Sequence, residues 1–209
     1  MKVCVIANDE QKNELLSKPV TKDIQLIFEA RGQQITLGTN YDLYLLLTPD
    51  IDYDFYFKLI TNRPVIINSV VKTLTELNAP ENFYRINGWN TFLKRDSWEI
   101  ASKTYGKCKE LLQKLSWKVI EVKDTPGFIA AKVIAMIINE AYMGYEEEVA
   151  TKEDIDIAMK SGTNYPYGPF EWAQKIGLSN IVTLLNKLYI VDSSYKPSAT
   201  LIQESQLCL

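Results

Sequence analysis

The chain has 209 residues, 46% hydrophobic and 23% charged, with a net charge of -3 at pH 7. That balance fits one large or two small globular domains with a true core. It excludes the basic surface that nucleic acid or an acidic membrane face would select. No run approaches the ~18 apolar residues of a membrane span. The opening MKVCVIANDE enters a strand-like segment directly, without the pattern of a secretory leader. Cys4, Cys108 and Cys208 are odd in number and far apart, forming neither a disulfide framework nor a zinc pattern. The expected compartment is the reducing cytoplasm. The chain contains no histidine. Imidazole bases, Ser-His-Asp and Cys-His pairs and histidine metal sites are therefore excluded, and acid–base chemistry falls to Asp, Glu, Lys, Tyr or Cys.

In chain order, residues 2–7 (KVCVIA) form an apolar run read as a buried strand. Residues 10–31 have helical character interrupted by Pro19, with Gly32 as the expected stop. Residues 34–37 are a candidate second strand. Residues 42–47 (DLYLLL) are a third apolar run, 53–60 a candidate helix and 65–68 (VIIN) a fourth strand. Residues 108–115 are periodic as a helix, and 117–122 read as a last strand. Alternating strands and helices predict a parallel α/β sheet with right-handed crossovers.

The pattern changes at Asp124. Ile129, Val133, Ile134, Ile137, Ile138 and Ala141 follow helical spacing. Thr151 with Asp154 is a capping-box variant opening a second helix. Residues 170–176 predict a third helix ending at Gly177, and 181–189 a fourth. The last twenty residues are polar, contain Pro197, and predict an extended arm or partly disordered tail.

From Asp124 the sequence reads DTPGFIAAKVIAMIINEAYMGYEEEVATKEDIDIAMKSGTNYPYGPFEW. The D-x-PGF opening, the NEA of the first helix, the acidic segment ending in EDIDIAMK and the YP-x-GPFE turn stand in one order over about fifty residues. This stretch resembles the start of the C-terminal domain of 3-hydroxyacyl-CoA dehydrogenases. The resemblance implies a reduced Rossmann-like parallel α/β domain over 1–122. A helical domain of the 6-phosphogluconate dehydrogenase-like type follows over 123–189, then a tail over 190–209. It further implies an acyl-CoA ligand in an interdomain cleft and a homodimer formed through the helical domain. Each motif residue also has a structural explanation: Pro126-Gly127 and Gly168-Pro169 shape turns, and Phe170 fills core.

Set against that family, the first half departs from the pattern. The family's first strand leads into G-x-G-x-x-G, which brings a pyrophosphate to a helix N-terminus. Here Asn8-Asp9-Glu10-Gln11-Lys12 follows, and the first glycine is Gly32. The acid expected after the second strand is replaced by Gly38 and Thr39, while Glu29 falls inside the predicted helix. The family's NAD is accordingly not expected. Arg85-x-x-Gly88 places Asn90 where the catalytic His belongs, and an amide takes no proton at neutral pH. Glu99 matches the partner Glu, and Ala131 replaces a substrate-contacting Asn. Asn68 and Ser69 match a segment that can touch the acyl group. The expected protein is a catalytically degenerate, dimeric acyl-CoA or small-molecule binding or scaffold protein. The alternative is an oxidoreductase of 3-hydroxyacyl or β-hydroxyacid substrates. It would use Lys132 in place of His, with Asn139 two turns along the same helix.

Overall fold

The structure is a computed structural model that describes residues 1–19, 22–29, 41–48, 51–104 and 117–207. The chain forms two compact units, Met1–Phe128 and Ile129–Leu209. The first is built on a sheet of strands β1 (Lys2–Ile6), β2 (Gln25–Phe28), β3 (Leu43–Leu46), β4 (Val65–Asn68), β5 (Phe83–Ile86), β6 (Ser97–Ser102) and β7 (Lys118–Glu121), in the order β2-β1-β3-β4-β5-β6-β7. Pairing is parallel from β2 through β5, antiparallel between β5 and β6, and parallel between β6 and β7.

Side chains alternate across the strands with period two. Val3, Val5, Leu43, Leu45 and Ile66 face one core cluster. Cys4, Ile6, Tyr44, Leu46 and Ile67 face the other. Burial on both faces is why these strands read as continuous apolar runs. Helix α1 (Asp9–Leu16) starts at Asn8 and α2 (Tyr53–Leu59) starts at Asp52, each with its N-cap side chain accepting a backbone N–H.

Several expectations need correction. The helix expected over 10–31 ends at Leu16, and the second strand is Gln25–Phe28. Ser17-Lys18-Pro19 breaks the helix, and Glu29 N–H donates to Val5 O at 2.9 Å, continuing the β1–β2 ladder. The strand expected at 34–37, the stop at Gly32, the positions of Gly38 and Thr39 and the helix over 108–115 lie outside the described residues. β5 and β6 were not expected, and their antiparallel pairing makes the sheet mixed. The border between the units falls after residue 128 and not after 122, because Asp124 and Gly127 bond into the sheet unit.

The second unit is helical: α3 (Ala130–Glu146), α4 (Lys152–Thr163), α5 (Pro169–Ile176), α6 (Leu178–Tyr189) and α7 (Ala199–Leu207). Thr151 Oγ1 accepts the Asp154 N–H at 3.1 Å, so α4 starts where the capping pattern places it. Asn164 ends it in the left-handed conformation, φ 56°. The buried Asp156 accepts the N–H groups of Phe170 (2.8 Å) and Glu171 (3.1 Å), capping α5 from outside.

The expected tail is instead a short 3-10 turn (Ser193–Tyr195) and helix α7. α3 holds this segment through one face. Asn139 bonds Lys196 O and Ser198 N, Tyr142 bonds Glu204, and Glu146 accepts the Thr200 N–H at the start of α7. Lys152 adds an ion pair to Glu204. Polar composition suggested disorder, but Leu201 is fully buried and the polar residues are the fastening.

Candidate functional site

Open α/β sheets take ligands outside the carboxyl ends of their strands, where the strand order reverses. In this sheet that place is the end of β1 and β3. α1 begins there, with Asp9 and Glu10 in its first turn. Asn8 Oδ1 accepts the Gln11 N–H at 2.8 Å, and Gln11 Oε1 accepts the Asn8 N–H at 3.1 Å, a reciprocal capping box. The Gln11 amide goes further: its Nε2 donates to Leu47 O (2.7 Å) and Gly88 O (3.1 Å). A single buried side chain therefore ties the ends of β1, β3 and β5 together.

Asn68 completes this corner from the end of β4. Its Nδ2 donates to Leu47 O at 3.0 Å and its Oδ1 accepts the Gly88 N–H at 2.9 Å. Gly88 is required, since a Cβ there would stand 2.7 Å from Asn68 Cγ. Ser69, also buried, donates to Lys72 O at 2.7 Å. Tyr53 donates its hydroxyl to Asn68 O at 3.0 Å, and burial pushes its pKa up. The two residues expected to touch an acyl group thus hold the loops beside the strand ends.

Asn90 donates its amide to Glu10 on α1. The neighbouring turn is held by Glu14, whose carboxylate accepts the N–H groups of Thr91, Leu93 (3.0 Å) and Lys94 (3.2 Å). Thr91 sits at φ 81°, strained for a non-glycine residue, and this carboxylate fixes it. The segment around Phe92 is a turn. Glu99 lies half-buried on β6, in register with Ile120 of β7, and its charge acts on Arg95. Trp89 and Trp98 are core residues, and Trp98 Nε1 donates to Leu93 O at 2.8 Å.

Three polar groups just beyond β3 and β5 are buried without a hydrogen-bond partner among the described residues: Thr48 Oγ1, Asn87 Nδ2 and Thr91 Oγ1. Leaving such a group unpaired costs about 1–3 kcal/mol. Thr48 adjoins Leu47, and Asn87 adjoins Gly88, the two residues whose carbonyls Gln11 bridges.

Arg85, fully buried on β5, donates to Asp124, to Ser69 O (2.9 Å) and to Thr125 O (2.5 Å), and lies 4.2 Å from the centre of the Phe128 ring. Burial lowers its pKa, while the bond and charge of Asp124 raise it. Asp124 also accepts the Leu74 and Thr75 N–H groups. In the second unit Ala131 is fully buried and Lys132 half-buried on α3. Asn139, the expected companion of Lys132, spends both ends of its amide on Lys196 and Ser198. Asn139 thus fastens the segment that leads into α7.

Residues 127–205 match the family model "3-hydroxyacyl-CoA dehydrogenase, C-terminal domain". The chain is 39% identical over 98 residues to 3-hydroxyadipyl-CoA dehydrogenase of Escherichia coli K12, covering 46% of this chain and 21% of that protein. It is 29% identical over 174 residues to 3-hydroxybutyryl-CoA dehydrogenase of Clostridioides difficile, covering 80% of this chain and 60% of that one. The C-terminal part of the chain, residues 127–205, belongs to the 3-hydroxyacyl-CoA dehydrogenase family. The chain spans less than two thirds of either relative. Its fold matches the crystal structure of (S)-3-hydroxybutyryl-CoA dehydrogenase from Ralstonia eutropha with a TM-score of 0.73 at 18% identity, over 99% of this chain and 94% of that one.

The fold of this family implies a dinucleotide, and the residues present fit it at one point only. Glu29 directly follows β2, the place of a ribose-binding acid. This corrects the assignment of that place to Gly38 and Thr39. Its carboxylate accepts the Tyr41 hydroxyl at 2.6 Å. At the phosphate end, the residues do not fit. Side chains occupy the close approach that glycines would leave open, and two carboxylates stand in the first turn of α1. Gln11 and Glu14 carry this corner, and neither was singled out from sequence. The Asn8–Gln11 spacing is itself a capping-box signal that was available.

Proposed function

We propose that the chain is a member of its family that has left hydride transfer and serves as a binding protein for an acyl-CoA or related small molecule. The observation that carries this reading is the bond from Asn90 to Glu10. The position expected to supply a base holds an amide engaged with α1. The groups of Thr48, Asn87 and Thr91, unpartnered among the described residues, support retained binding, because they offer a hydroxyl, an amide and a second hydroxyl to a ligand's carbonyl or hydroxyl. The protein acts as a homodimer through its helical unit, in the cytoplasm. Exposed Val149 and Ile157 on that unit support a protein contact, and no helix among the described residues is long and apolar enough to cross a membrane.

Calorimetric titration of the full chain with acetoacetyl-CoA tests the ligand. Saturable binding is expected, and its absence at millimolar ligand would remove the acyl-CoA reading. Light scattering tests the assembly, with twice the 23.9 kDa chain mass expected.

A further inference from the structure

A dinucleotide reaches this fold by laying its pyrophosphate on the first turn of the helix after β1. In this chain that turn is already engaged. Gln11 donates to Leu47 O and Gly88 O, Asn8 and Gln11 cap one another, and Glu10 accepts from Asn90. We infer that Gln11, with Asn8 and Glu10, is a built-in plug that closes the switch point of the sheet against dinucleotides.

The chemistry of the plug differs from a simple loss of glycines. The Gln11 amide is neutral and buried, and it supplies a donor to two carbonyls at the strand ends. Removing it takes that donor from Leu47 O and Gly88 O, so the plug also stabilises the unit. Asp9 and Glu10 add the wrong charge for a phosphate at a helix N-terminus. Glu10 cannot swing aside without releasing Asn90. The closure is local to α1, since Glu29 still stands at the end of β2.

This inference rests on the reading of a family member without hydride transfer, but it fails separately. Acetoacetyl-CoA binding can be lost while the plug stands, and NADH binding would remove the plug whatever the acyl-CoA result. The experiment is calorimetry and thermal melting of the full chain with NADH and with ADP-ribose. The wild type is expected to give no binding heat and no rise in melting midpoint at ~1 mM nucleotide, where a ligand with a Kd of ~10 μM would raise it by several degrees. The variant Asp9→Ala/Glu10→Ala/Gln11→Ala is expected to melt lower and to gain ADP-ribose binding. Nucleotide binding by the wild type overturns the inference. A folded triple variant that stays blind to ADP-ribose overturns the assignment of the block to these side chains. If the triple variant does not fold, Gln11→Ala alone is compared with the wild type. A gain of ADP-ribose binding then supports the plug, and no gain overturns it.

Discussion

Asn90 gives its side-chain amide to the carboxylate of Glu10, in the first turn of the helix that follows the first strand. The residue at the expected base position is thereby fastened to the residue at the expected phosphate position. On the proposed reading, restoring the base alone is not expected to restore chemistry. Asn90→His is expected to show no NADH-dependent turnover of acetoacetyl-CoA. Because the chain has no other histidine, the new imidazole gives a single proton-NMR titration. Its pKa is expected above the ordinary ~6.5, raised by the adjacent Glu10 carboxylate. A value at or below that figure would show that the two side chains do not meet.

Arg85 and Asp124 form a buried ion pair joining β5 to the turn that closes the sheet unit. Removing one partner strands the other's charge. Asp124→Ala is expected to cost about 3–5 kcal/mol in chemical denaturation. A loss below about 1 kcal/mol would mean that the pair contributes little.

Gly168 lies where a Cβ would come within 2.3 Å of Asp156 Cγ, and Asp156 caps α5. Gly168→Ala is expected to destabilise the helical unit by about 1–3 kcal/mol through this overlap. Gly162→Ala meets no neighbour within 4 Å and is expected to be neutral or slightly stabilising. Reversed ranks in a melting comparison would contradict the turn geometry.

Burial pushes the Cys4 thiol up to about 12, with Glu29 adding to the effect. The fold thus favours the neutral thiol. Above pH ~9 the unfolded chain sheds this proton first, so stability falls as pH rises toward about 12. Tyr44 and Tyr53, also raised by burial, act in the same direction. Cys4→Val is expected to flatten part of this alkaline decline. In the native protein Cys4 is expected to resist thiol reagents at about pH 8, and prompt labelling would contradict its burial.

The helical unit was legible in sequence because its signals are local. Thr151 caps α4, Gly177 ends α5 and the apolar spacing of α3 needs no distant partner. The sheet unit was less legible. β2 follows a broken helix, and its residues Gln25–Phe28 carry no turn signal that separates them from one. β5 and β6 contain Arg85, Glu99 and Ser102, polar residues whose burial or pairing depends on Asp124 and on β7 across long separations. α7 was hidden for the same reason, since its fastening lies 54–62 residues earlier on α3. Of the candidate site, Asn68 and Asn90 stand out in sequence through the family resemblance, while their bonds to Leu47, Gly88 and Glu10 depend on the fold. Gln11, Glu14 and the role of Glu29 emerged only once β1, β2 and β5 were side by side.

Whether this family member transfers hydride is measured most directly by NADH oxidation, followed by its absorbance, with the purified full chain and acetoacetyl-CoA, alongside Lys132→Ala. A rate no higher than buffer is predicted for both proteins. Turnover that scales with wild-type protein would contradict the loss of hydride transfer, and disappearance of that turnover in Lys132→Ala would make Lys132 the acid–base group after all.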